Sequence, residues 1–204
     1  SGAVRILTKA PNPNEFEASA LVDFGLVDGD ALRQRYNGMI NIPLIEDQLA
    51  LRVVGFYRDE EGWVDNLGTG IEGANSLEAT GGRAHLLWEP TNNFDIGLLV
   101  VHEDNNPADS ALTNPDRGEY VRFTERPDLF QSDFTSYNLT ANYEMDWATL
   151  TSSSTYSNID GLFIVDLAGT FNQAIPFALD AVGSDENFVQ EVRLVSADGG
   201  DWDW

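Results

Sequence analysis

Cysteine is absent from all 204 residues, which excludes disulfides, thiolate zinc sites and iron–sulfur clusters. Histidine occurs twice, at His85 and His102, too seldom for an imidazole metal cage. Lysine and arginine together number 11 against 34 aspartates and glutamates, a formal charge of −23. So acidic a chain repels phosphate backbones, and no nucleic acid is expected as a partner. Long apolar runs are missing as well: the best, residues 96–101 and 162–165, fall far short of the roughly 20 residues of a membrane helix. Helical spanning is thereby excluded. Strand spanning stays open, because alternating strands escape hydropathy scans. Catalytic signatures are equally scarce, with no G-x-S-x-G, no H-E-x-x-H, no G-x-x-x-x-G-K-[ST], and Lys9 as the single lysine. Carboxylates are too many for any pair to stand out as an acid–base dyad. No catalytic residue, metal site, cofactor or enzyme activity is expected.

What is present is alternation. With 42% hydrophobic and 11% aromatic residues the chain is too apolar to remain disordered. Its apolar positions recur with period two rather than 3.6. Tyr137, Leu139, Ala141, Tyr143 and Met145 alternate with Asn138, Thr140, Asn142 and Glu144. Phe94, Ile96, Leu98 and Val100 form a second stripe; Tyr36, Gly38, Ile40, Ile42 and Leu44 form a third, with Pro43 near the strand's end. The pattern predicts strands at 16–26, 32–44, 49–58, 81–89, 94–102, 134–144, 148–156 and 188–195, with a ninth beginning near Trp202. The connections alternate between tight turns at 45–48, 90–93, 145–147 and 197–201 and long polar stretches at 59–80, 103–133 and 158–187. The link at 27–30 is modest. In an up-and-down meander this ordering makes one rim trim and the other heavily looped, the asymmetry of outer-membrane barrels.

Three motifs carry a resemblance. Ser1-Gly-Ala-Val-Arg-Ile-Leu-Thr-Lys-Ala-Pro11 resembles the last stretch of the plug domain of TonB-dependent outer-membrane receptors. Asn41-Ile-Pro-Leu-Ile-Glu-Asp-Gln-Leu-Ala-Leu-Arg52, followed by Gly55-Phe-Tyr-Arg-Asp-Glu-Glu-Gly-Trp-Val-Asp-Asn66, is similar to an early barrel hairpin of that family. Phe188-Val-Gln-Glu-Val-Arg-Leu-Val-Ser196, with Gly199-Gly-Asp-Trp202, is similar to its E-x-R-L-x-S strand and Trp-bearing return. The resemblance implies an all-β fold, a partial transmembrane antiparallel barrel of about eight or nine up-and-down strands out of about 22. Residues 1–13 would be the C-terminal end of the plug and 14–204 the first part of the barrel, a fragment cut at both ends. It further implies residence in a Gram-negative outer membrane among its lipids. The implied activity is uptake of a scarce small molecule such as a ferric siderophore or other metal chelate, driven by the TonB–ExbB–ExbD complex through a segment that is not in this sequence. Two alternatives stand beside it: a passive porin-like channel without a plug, and a soluble secreted all-β module binding carbohydrate.

Within the barrel reading, Asn138, Thr140, Asn142 and Glu144 would face a wet lumen, and Tyr137, Leu139 and Tyr143 would face lipid. Trp88 and Trp147 suit an interface girdle, against the alternative of ordinary sheet aromatics with turn-proximal ends. Arg52, Arg83 and Arg193 lie inside strands and should point inward, either paired with plug or lumen carboxylates such as Glu191 or simply hydrated in the lumen; Lys9 would pair similarly. Ligand choice would lie in the loops. The stretch from His102 to Asp133 sets many carboxylates against Arg117, Arg122 and Arg126. Its candidate ligand contacts are His102, Glu103, Arg117 and Arg122, against the alternative of a merely solvated loop surface. The oxygen donors of residues 59–61, Asp65 and Asn66 near Gly62 match no EF-hand spacing. A piece of such a barrel taken alone should be an open sheet with unpaired edges.

Overall fold

A computed structural model describes residues 8–27, 30–171, 174 and 177–197. The first part of the plug-like motif, most of the 197–201 turn, the Trp-bearing return and the ninth strand lie outside these residues. The elements run in the order β1 (Glu17–Val27), β2 (Ala31–Ile45), β3 (Leu49–Glu60), β4 (Asp65–Asn66), β5 (Leu77–Thr91), β6 (Phe94–Pro107), β7 (Val121–Arg122), β8 (Leu129–Glu144), β9 (Ala148–Asp166), α1 (Leu167–Thr170) and β10 (Ala178–Ser196).

Eight strands form one antiparallel sheet in the order β1-β2-β3-β5-β6-β8-β9-β10, each beside its chain neighbour. All eight expected strands are present, and β1 and β10 stand at opposite edges of an open sheet. Tight turns close one rim. Gln48 N donates to Ile45 O at 3.1 Å, with Asp47 at φ 60°, a conformation that Asp tolerates better than most residues. Met145 N donates to Ala148 O at 2.8 Å in the turn between β8 and β9. The opposite rim carries the link from β1 to β2 and the segments 61–76, 108–128 and 167–177.

Several strands outrun their expected bounds. β5 begins at Leu77, β6 continues to Pro107, β8 begins at Leu129, and β9 and β10 each reach 19 residues. The polar stretch expected at 158–187 is therefore mostly a paired hairpin, with Asn158↔Glu186, Asp160↔Ser184 and Leu162↔Val182 in register. Polar residues fall on both faces there, which reads as loop in a sequence; the ladder between β9 and β10, with β8 on the other side of β9, makes it sheet.

Antiparallel partners share a face, so the register assigns each strand residue to one of two faces. One row crosses all eight strands: Ala18, Ile40, Val53, Ala84, Val100, Tyr137, Tyr156 and Phe188. The row just behind it on the other face reads Glu17, Asn41, Arg52, His85, Leu99, Asn138, Thr155 and Val189. The first face is apolar and the second mainly polar. Toward the looped rim the apolar face ends in His102, Thr135, Asn158 and Glu186, and then in Asp104, Asp133 and Asp160. The apolar band reaches Leu26 near the looped rim on β1 but stops at Val100 on β6, sliding along the register as tilted strands require. Tyr36 stacks on Tyr57 at 6.2 Å, and Trp88 and Trp147 stand exposed near the trim rim.

Candidate ligand-binding face and loop cap

Every arginine of the eight-stranded sheet projects from the polar face: Arg33, Arg35, Arg52, Arg58, Arg83 and Arg193. An arginine on the apolar face would lose its hydration wherever that face meets a nonpolar phase, so the segregation follows from solvation. Most of these cations are paired. Arg52 Nη1 donates to Glu17 Oε2 at 3.0 Å, and Lys9 Nζ meets the same carboxylate at 2.9 Å. Arg33 pairs with Asp23 at 3.0 Å, while Arg35 and Arg58 share Glu60 at 2.6 and 3.0 Å. The carboxylate that meets Arg52 is thus Glu17, from the strand two places away, rather than Glu191. Asn138 donates to Ser153 and Thr155 at 2.9 and 2.8 Å, and Asn142 donates to Asp95 at 2.8 Å. Glu191 and Arg193 share this face on β10, opposite Ser153 and Thr151.

On the looped rim, residues 61–76 and 108–128 are joined by the parallel pairing of β4 with β7. Beneath that pairing lies a buried ionic centre. Arg122, 2% exposed, meets Asp109 Oδ1 at 2.8 Å and Asp128 Oδ2 at 2.7 Å, and donates to Ser110 O at 2.9 Å. Asn66 Nδ2 donates to Asp109 Oδ2 at 2.9 Å and to Thr124 Oγ1 at 2.7 Å. The other oxygen of Asp128 accepts from Asp166 N at 2.7 Å, and Asp166 in turn accepts from Glu125 N and from Gly169 N at the start of α1. Residues of all three long connections thus belong to one network: Asn66 joins the guanidinium's partners through Asp109, and Asp166 joins them through Asp128. The contacts leave no space for larger residues at two glycines: a Cβ on Gly68 would lie 2.1 Å from Thr124 O, and one on Gly169 would lie 2.6 Å from Thr124 Cα.

The four candidate ligand contacts do not converge. His102 and Glu103 are adjacent in β6 and so project to opposite faces. His102 lies on the apolar face at its polar margin, with Nδ1 2.9 Å from Thr135 Oγ1 and 4.0 Å from Asp133 Oδ1. Glu103 lies on the polar face, level with Gly81 and Phe134. Arg117 is exposed and places its guanidinium 4.4 Å over the ring of Phe123. Arg122 is the buried centre of the cap. Arg126 meets Asp180 of β10 at 2.7 Å. Asn66, Thr124 and Asp166 carry much of the cap, and nothing local in the sequence marks them, since Asn66 lies 58 positions from Thr124. Among the described residues no group of three or more His, Asp or Glu side chains is arranged to hold a metal ion. At the trim rim the apolar face has a shallow hollow of ≈ 480 Å³ lined by Ile45, Leu49, Leu86, Trp88, Ile96, Leu98 and Leu139.

No family model matches the sequence. Among solved structures, the siderophore receptor PirA from Acinetobacter baumannii matches 93% of this chain with a TM-score of 0.63 at 14% identity. The chain covers 28% of that receptor's length. At this identity the likeness is one of fold. The chain folds as an open, up-and-down antiparallel sheet of eight strands similar to part of that receptor's fold, apolar on one face and arginine-bearing on the other.

Proposed function

We propose that this chain is part of an outer-membrane receptor that takes up a scarce small molecule, a ferric siderophore or related iron chelate, in a Gram-negative bacterium. The observation that carries this reading is the unbroken apolar row across eight strands, with every sheet arginine on the other face. A soluble sandwich buries its apolar face against a second sheet. Here Val53, Leu98, Tyr137, Leu139, Tyr143 and Leu150 are all exposed, and lipid is the solvent that suits them. The hollow beside Trp88 offers room for acyl chains.

In this reading the polar face lines the lumen, residues 1–13 close the plug, and residues 14–204 begin the wall. The path of the chain supports that division, because residues 9–15 meet the sheet through Asn41 and Glu17, both on the polar face. The loop cap would form part of the outer mouth, where Glu103 and Arg117 are the candidate ligand contacts. Energy would come from the TonB–ExbB–ExbD complex acting on the plug. The siderophore assignment takes its chemistry from the receptor that shares the fold.

Uptake of radiolabelled ferric chelates by iron-starved cells, with and without the gene, tests the proposal. Uptake that disappears with the gene and on collapse of the proton gradient is the expected result. Uptake indifferent to the gradient would indicate a passive channel, and recovery of the protein in the soluble fraction would indicate a secreted binding module; either would overturn the reading.

A further inference from the structure

The chain reaches its first strand under restraint. Asn41, in β2 on the polar face, is 0% exposed, and its side-chain amide is occupied by one short segment. Its Oδ1 accepts from Asn12 N at 2.9 Å, and its Nδ2 donates to the carbonyls of Asn12 at 2.9 Å and Glu15 at 2.6 Å. Pro11 and Pro13 have no N–H to offer, so Asn12 supplies the only backbone donor of that triplet, and Asn41 takes it. Asn12 Oδ1 accepts from Asn14 N at 2.9 Å and closes a turn. Beside this clamp, Glu17 is the cross-strand partner of Asn41 and accepts from both Lys9 Nζ and Arg52 Nη1. Freeing the segment would break all three hydrogen bonds of the Asn41 amide at once, which opposes release.

We infer that Asn41, with Glu17 beside it, is a fixed joint at which any displacement of the chain upstream of Lys9 stops without reaching β1. In the receptor reading, on which this step rests, the part displaced is the plug and the part held is the wall. The joint then sets the mechanical boundary between them at residues 12–15.

The full-length chain in detergent or lipid tests the joint without any ligand. In the unmodified protein the Asn12 amide should exchange its hydrogen at least about tenfold more slowly than an unprotected amide. The cysteine-free sequence also permits a spin label at Asn14→Cys, which should be immobilised and should gain mobility in the Asn41→Ala background. A label at Asp47→Cys, in the turn after β2, should be the same in both. Asn41→Asp keeps the acceptor for Asn12 N but loses both donations, and should fall between the two. An unprotected Asn12 amide, or an Asn14 label indifferent to Asn41, overturns the joint; should Asn41→Ala fail to fold, exchange in the unmodified protein decides. Absence of energised uptake with the joint intact would count against the receptor reading alone.

Discussion

Arg122 lies among Asp109, Asp128 and Ser110, out of reach of solvent. An arginine in an acidic, Asn- and Pro-rich loop reads from sequence as a surface charge available to a ligand, and here it is the centre that folds the loop. Asp109 and Asp128 were visible as charges, but their partners were not. The hydrogen bond from Asn66 to Asp109 spans 43 positions, and a loop has no periodicity from which such a contact can be inferred. Arg122→Met leaves two buried carboxylates without their cation, which should cost the cap about 3–5 kcal/mol. Proteolysis within residues 108–128 should accelerate while the strand signal in circular dichroism holds; equal protection in variant and parent would mean that the cap does not depend on this centre.

Among the elements, all eight strands of the sheet were legible, whereas β4, β7, α1 and the outer parts of several strands were not. β8 alternates cleanly and its faces followed from the sequence; the register sets Arg52, Arg83, Arg193, Asn138, Asn142 and Glu191 on a common face. The outer halves of β9 and β10 were missed because Asn158, Asp160, Ser184 and Glu186 place polar groups where a lipid-facing strand carries apolar ones. They lie beyond the apolar band. Leu98 and Leu99 test the distinction at one point, being adjacent in β6 and on opposite faces. Leu98→Arg should destabilise the membrane-inserted protein by about 2–4 kcal/mol, whereas Leu99→Arg, pointing to the polar side, should have a much smaller effect. Denaturant midpoints in lipid measure both, and equal losses would mean that the two faces are not differently solvated.

For the whole molecule, open edges and segregated charge decide behaviour in solution. Among the described residues, the outer edges of β1 and β10 pair with no further strand and present free backbone donors and acceptors. The formal charge of −23 opposes association, but an exposed apolar face and two open edges favour it. The chain produced alone should therefore sediment with membranes or aggregates and become monodisperse only in detergent, as sedimentation in the two conditions would show. A monodisperse monomer without detergent would favour the soluble carbohydrate-binding alternative.

One face of this sheet should meet lipid and the other should not. Because the sequence lacks cysteine, single substitutions along β8 from Ser136 to Tyr143 can each carry a spin label in the lipid-embedded protein. Collision with oxygen, which concentrates in the bilayer, should be high at Tyr137, Leu139, Ala141 and Tyr143 and low at Ser136, Asn138, Thr140 and Asn142. A profile without period two, or one with all eight positions equally open to a water-soluble nickel chelate, would contradict the account.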